Sequence, residues 1–185
     1  MIRINNIYKA FAEKQVLNNV CAEIPDTGIF AISAPSGQGK TTLLRILCSL
    51  EQPDSGNITG IKGKKISVVF QEDRLLPWCT ALENVSCVSD KAKAIEILSE
   101  LELQSDLDKK PHELSGGMCR RVALARALAF NGDILLLDEP FKGLDRKLKS
   151  KILEIIKVYS QSHCVILVTH DEDELSCADK ILKLK

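Results

Sequence analysis

Four apolar residues, Ile29-Phe30-Ala31-Ile32, lead almost directly into Ala34-Pro35-Ser36-Gly37-Gln38-Gly39-Lys40-Thr41-Thr42, and the helix-forming Leu43-Leu44-Arg45-Ile46-Leu47 follows at once. A short continuous apolar run bounded by turn residues suits a strand buried on both faces of a sheet. A loop wrapped over a helix N-terminus turns several backbone N–H groups toward one point, where the helix dipole favours negative charge. Gly37 and Gly39 let that backbone approach an anion closely. Lys40 is then expected to reach the β and γ phosphates of a nucleotide, and the Thr41 hydroxyl to ligate Mg²⁺.

The loop departs from the pattern G-x-x-x-x-G-K-[ST] at one place, since Ala34 stands where glycine is expected. Alanine is small, so close approach is retained. A backbone with positive φ at this position would cost on the order of 1 kcal/mol with alanine in it.

Three later segments extend the same chemistry. Leu114-Ser115-Gly116-Gly117-Met118 precedes the Ala/Leu/Arg-rich run from Arg120 to Leu128, a strong helix pattern with Ser115 as N-cap and two glycines leaving N–H groups uncovered. Asp133-Ile134-Leu135-Leu136-Leu137-Asp138-Glu139-Pro140 reads as a buried strand ending in two carboxylates, and the carboxyl ends of strands are where ligand groups lie in open α/β sheets. Asp138 is placed to support Mg²⁺ and Glu139 to orient or deprotonate an attacking water. Val165-Ile166-Leu167-Val168 ends likewise in Thr169-His170, which makes His170 a candidate γ-phosphate contact. The acidic run Asp171 to Glu174 is read as charge at a helix N-terminus, without a catalytic role.

Composition narrows the function classes. With 45% hydrophobic residues, 185 residues bury one sizeable core, and 25 basic against 25 acidic side chains give no broad basic field for nucleic acid. No apolar stretch approaches the ~20 residues of a spanning helix and no secretion signal opens the chain, so a cytosolic location is expected. The seven cysteines show no C-x-x-C pair or metal-ligand spacing and read as reduced thiols, several behaving as small hydrophobes.

The Leu-Ser-Gly-Gly segment between a phosphate loop and an acid-terminated strand resembles the ATP-binding cassette (ABC) proteins along essentially all of the chain. The resemblance implies an α/β P-loop NTPase core with a mainly parallel sheet, an N-terminal antiparallel β region and a small helical subdomain: core about 1–71 and 125–185, subdomain about 72–124. It implies two copies facing head to tail, with Ser115, Gly116 and Gly117 of one closing over ATP and Mg²⁺ held by the Lys40 loop (34–42) of the other. Phe11 matches the aromatic residue that stacks on adenine, its alternative being a core phenylalanine. Gln71 matches the glutamine that meets Mg²⁺, and Asp145 the aspartate that communicates between the two sites, although Lys142-Gly143 is an unusual filling of that turn.

The stretch Gln71 to Trp78, followed by Thr80 to Val85, is similar to importers of the nitrate, sulfonate and taurine type. That implies an ATPase subunit on the inner face of the membrane, driving a separate permease fed by a solute-binding protein. Leu75, Leu76 and Trp78 are then a surface for the permease, or alternatively Trp78 packs inside the helical subdomain. A regulatory nucleotide-binding subunit and a soluble non-transport ATPase are the competing readings. Local pattern adds strands at Ile2 to Ala10, Gln15 to Ile24 and near the C-terminus from Ala178, and a helix from about Lys91 to Leu103 with Ile95, Leu98 and Leu101 on one stripe.

Overall fold

The computed structural model describes residues 1–12, 14–35 and 37–184. Three strands form an antiparallel sheet in the order β2 (Lys14–Ile24), β1 (Ile2–Phe11), β4 (Ser55–Thr59). Five more form a parallel sheet in the order β5 (Ile66–Val69), β6 (Ile134–Asp138), β7 (Cys164–Val168), β3 (Gly28–Ser33), β8 (Lys180–Lys183). Every residue of β6 and β7 is buried, as expected of central strands covered on both faces.

Side-chain alternation along these strands divides the interior in two. Leu135 and Leu137 of β6, Val165 and Leu167 of β7 and Ile29 of β3 pack with α2 (Ala81–Ser86), α3 (Lys91–Glu100), α4 (Gly116–Phe130) and α5 (Arg146–Ser160). Leu136, Ile166, Val168, Phe30 and Ile32 point the other way, onto Leu43, Leu44 and Leu47 of α1 (Lys40–Leu47) and onto Ile4, Ile7 and Leu17 of the antiparallel sheet. The expected architecture is present: a parallel sheet, an antiparallel region and a group of helices.

Register fixes what the strand ends share. Leu136 lies beside Ile166 and Asp138 beside Val168, while Phe30 lies beside Ile166 on the other side of β7. The ladder continues one residue further through Glu139 N donating to Val168 O and Thr169 N to Ile32 O. Asp138, Glu139, Thr169, His170 and the loop leaving β3 therefore emerge at one edge.

Two local readings need correction. The helix α3 ends at Glu100 rather than Leu103, and its buried stripe is Ala94, Ile97 and Leu98, continued by Leu101 past the C-cap; Ile95 is 37% exposed. Ile95 is rotated off the stripe because the 3.6-residue period runs through 94, 97/98 and 101. Trp78 does not pack inside the helices: it is 70% exposed in the turn before α2.

All seven cysteines are free. Burial pushes the Cys48 and Cys164 thiols up to about 11, which keeps both protonated and unreactive, in line with the apolar reading.

Candidate nucleotide site

The loop from β3 enters α1 through Gly39, whose φ of 78° and N-cap position place it in the left-handed region. A Cβ there would lie 2.7 Å from both Val16 O and the Leu17 side chain, so no other residue lets this loop sit against β2. Ala34 answers the question its identity raised. It is 4% exposed, packs against the α1 side of the core, and is not among the residues with positive φ. Alanine therefore fits position 34 without backbone strain.

Lys40 opens α1 and is buried with its ammonium folded back over the loop, donating to Ala34 O at 2.6 Å and to Pro35 O at 3.1 Å. Next to it the Thr41 hydroxyl donates to Asp138 Oδ2 at 3.1 Å. Asp138 is 2% exposed. Burial raises its carboxyl pKa, nearby Glu139 adds to the rise, and the Thr41 hydrogen bond opposes it.

Glu139 has a φ of 47°, an uncommon conformation for a residue with a Cβ. It turns the side chain away from the buried run of β6 toward the end of β7. Its Oε1 lies 3.3 Å from His170 Nδ1. The His170 ring is otherwise open to solvent, with its side chain 66% exposed.

These groups surround a cleft of about 800 Å³. Of the residues singled out from sequence, Gly37, Gly39, Lys40, Thr41, Thr42, Gln71, Asp138, Glu139 and His170 line it. Phe11, Ala34, Pro35, Gln38 and Asp145 do not line it, nor does the Ser115-Gly116-Gly117 turn. Ser36 lies outside the described residues. Phe11 is 47% exposed at the end of β1, which excludes the core alternative. Ser115 caps α4 by accepting from Met118 N at 3.2 Å, as expected, and Gly116 has open space where a Cβ would be. Asp145 caps α5, accepting from Leu148 N.

Sequence reasoning missed a charged group on the far wall. Lys149, on α5, lies 2.6 Å from Asp171 Oδ2 and 2.8 Å from Glu174 Oε1, and all three line the cleft. Burial works against the Lys149 charge, and the two carboxylates outweigh it, leaving its pKa raised. Asp171 does cap the short helix α6 (Glu172–Leu175), as the acidic run suggested. Its tie to Lys149 spans two elements, and nothing in the local sequence of either announces it. A second missed group is Arg120, whose guanidinium reaches back from α4 to the loop at Gln71.

Comparison with known proteins bears on the family and the fold. The ABC transporter family model matches residues 17–142. An aliphatic sulfonates import ATP-binding protein, SsuB 1 of Shouchella clausii, is 39% identical over 186 residues, covering 97% of this chain and 75% of that one. The macrolide export ATP-binding/permease protein MacB of Campylobacter jejuni is 37% identical over all of this chain and 33% of its own length. Among solved structures, the dimeric ATP-binding cassette MJ0796 in a post-hydrolysis state with ADP and Pi superposes with a TM-score of 0.90 at 34% identity, covering 100% of this chain and 94% of that one. With the family model spanning more than half of its residues and the cassette fold spanning all of them, the chain belongs to the ABC transporter family.

Proposed function

We propose that the chain is the ATP-hydrolysing subunit of a transporter whose membrane-spanning part is a separate permease, and that two copies close on two MgATP. The observation that carries this reading is the 3.3 Å contact between Glu139 and His170, across the cleft edge from Lys40 and Thr41. A base beside a phosphate-sensing histidine suits in-line attack by water. Lys40 spends two of its three N–H donors on Ala34 and Pro35 carbonyls, leaving one for a phosphate oxygen. Glu139 takes the proton of the attacking water, and His170 holds the γ phosphate.

The Thr41 hydroxyl, Asp138 carboxylate and Gln71 side-chain amide are oxygen donors of the kind Mg²⁺ accepts, and a buried carboxylate with a raised pKa is one that gains from a cation. Bound Mg²⁺ supplies charge neutralisation to the phosphates. Thr41, Asp138 and Gln71 would hold the ion together with the nucleotide it accompanies; among the described residues no group of three or more His, Cys, Asp or Glu is placed to hold a metal. Ser115, Gly116 and Gly117 of one copy cover the nucleotide of the other, Phe11 stacks on adenine, and Asp145 faces the second site. The helical residues about 72–124 move as the unit that carries the Ser115-Gly116-Gly117 turn.

Among the described residues no helix is long and apolar enough to cross a membrane, which suits a subunit held at the inner face through a partner. Exposed Trp78, beside half-buried Leu75 and Leu76, offers that partner an apolar contact. The sulfonate-import relatives, matched over about three quarters of their length, favour uptake of a small anion delivered by a solute-binding protein. A purely regulatory subunit loses its main support once Ala34 is seen to be unstrained.

The test is ATP turnover with Mg²⁺ for wild type and Glu139→Gln, with size-exclusion of both in ATP. Turnover in wild type, together with an ATP-dependent dimer and lost turnover in the variant, supports the reading. A variant that turns over normally sinks the role of Glu139.

A further inference from the structure

Arg120 is buried in the helix α4 that begins beside Ser115, yet its guanidinium is committed to a loop far away in sequence. Nη1 donates to Phe70 O at 2.6 Å, Nη2 donates to Gln71 O, and Nε lies 3.0 Å from Asp73 Oδ1. Arg126, further along the same helix, donates to Asp73 O at 3.3 Å and Arg74 O at 2.9 Å. At ~1.5 Å rise per residue, the two arginines grip the loop at points about 9 Å apart along the helix. The planar guanidinium holds its partners in fixed directions, which a single ammonium would not do. Moving the loop away would strand a buried cation, so the loop and the helix are held together.

We infer that Arg120 is a positioning residue: it fixes the Gln71 backbone to the helix that starts at the Ser115-Gly116-Gly117 turn, so that the 70–74 loop and that turn move as one piece. The inference rests on the reading of Gln71 as a Mg²⁺ contact. If Gln71 serves a copy's own nucleotide and Ser115 serves the partner's, Arg120 ties the two sites together within one chain. A merely stabilising arginine would leave the Mg²⁺ response of nucleotide binding alone.

The experiment is a Mg²⁺ titration of binding of a fluorescent ATP analogue to wild type, Arg120→Ala, Gln71→Ala and the double variant, with amide hydrogen exchange of residues 71–74 on the nucleotide-free proteins. Each single variant is expected to raise the Mg²⁺ half-saturation three- to tenfold, and the double variant to be no worse than Gln71→Ala, because Arg120 acts through Gln71. Exchange at 71–74 is expected to quicken in Arg120→Ala while α4 keeps its protection. If Gln71→Ala raises the half-saturation and Arg120→Ala does not, or if their effects multiply, the inference about Arg120 is wrong. If Gln71→Ala changes nothing, the reading of Gln71 fails; exchange then judges the clamp alone, and unchanged exchange in Arg120→Ala overturns it. Arg120→Lys, which keeps a positive charge at this place but cannot hold the Phe70 and Gln71 carbonyls in the fixed directions of a guanidinium, replaces Arg120→Ala should that variant not fold, and the same outcomes decide.

Discussion

Glu139 N donates to Val168 O at 2.9 Å, while the Glu139 side chain turns back to His170, two residues beyond that carbonyl. The ladder hydrogen bond and the side-chain contact together hold Glu139 at a φ of 47°. Strain at a non-glycine residue in the left-handed region is of order 1–2 kcal/mol and is tolerated where a functional geometry needs it.

Glu139→Gly separates strain from chemistry. Glycine adopts this φ freely, and its removal of the carboxylate also relieves repulsion on Asp138. The variant is expected to be about 0.5–1 kcal/mol more stable in urea unfolding while ATP turnover falls roughly 10²–10⁴-fold, the scale of a general base. An unfolding midpoint no higher than that of Glu139→Ala, which loses the same side-chain contact, would show that the backbone at Glu139 is not strained.

Asp138 gives the nucleotide-free protein a pH signature. Its raised pKa means that the folded chain keeps this proton over a window above the usual aspartate range, where the unfolded chain has already lost it. Stability from this group therefore declines as pH rises through that window, and above the raised value the full cost of the buried charge remains. Asp138→Asn is expected to melt higher than wild type at pH 7 without nucleotide, with the margin shrinking as pH is lowered toward 4. Calorimetric melting across that range checks it, and a margin independent of pH would exclude the carboxylate as its source. MgATP should stabilise wild type more than the variant.

The strand ends were legible because their signals are local. Four apolar residues before Asp138-Glu139, and four before Thr169-His170, read as buried strands ending in polar groups, and parallel pairing of β6 with β7 makes those ends neighbours. The Gly37-to-Thr42 segment is similarly self-contained. The contacts of Lys149 with Asp171 and Glu174, and of Arg120 with the Gln71 loop, join distant segments through long flexible side chains, so neither spacing nor periodicity carries them. Ile95 misled because Leu98 and Leu101 share a stripe with Ala94, and alanine hides a core position behind its small size.

Lys149 is expected to matter for stability more than its surface position on the cleft suggests. Breaking a fully buried ion pair costs about 3–5 kcal/mol, and here Glu174 is buried while Asp171 is partly solvated. Lys149→Met should therefore cost about 2 kcal/mol, and Glu174→Gln in that background should recover part of the loss, since it removes the uncompensated buried charge. Urea unfolding of the two single variants and the double measures the coupling; strict additivity would mean that Lys149 and Glu174 do not interact.

Ala34→Gly restores the glycine of the phosphate-loop pattern, and on pattern alone it should improve binding. The structure argues the reverse. The Ala34 methyl is packed against the core that includes Leu43 and Leu44, and its φ is not positive, so glycine would remove buried contact and add backbone freedom to the unfolded chain. The ammonium of Lys40 accounts for the rest: it is held by the Ala34 carbonyl, which needs a fixed backbone to keep the lysine aimed into the cleft. The variant is expected to lose about 1 kcal/mol of stability and to bind ATP no tighter than wild type, and more weakly if the loop loosens. Urea unfolding beside calorimetric ATP titration tests both halves; a clear gain in affinity would mean that the alanine side chain, and not the loop's own conformation, limits nucleotide binding.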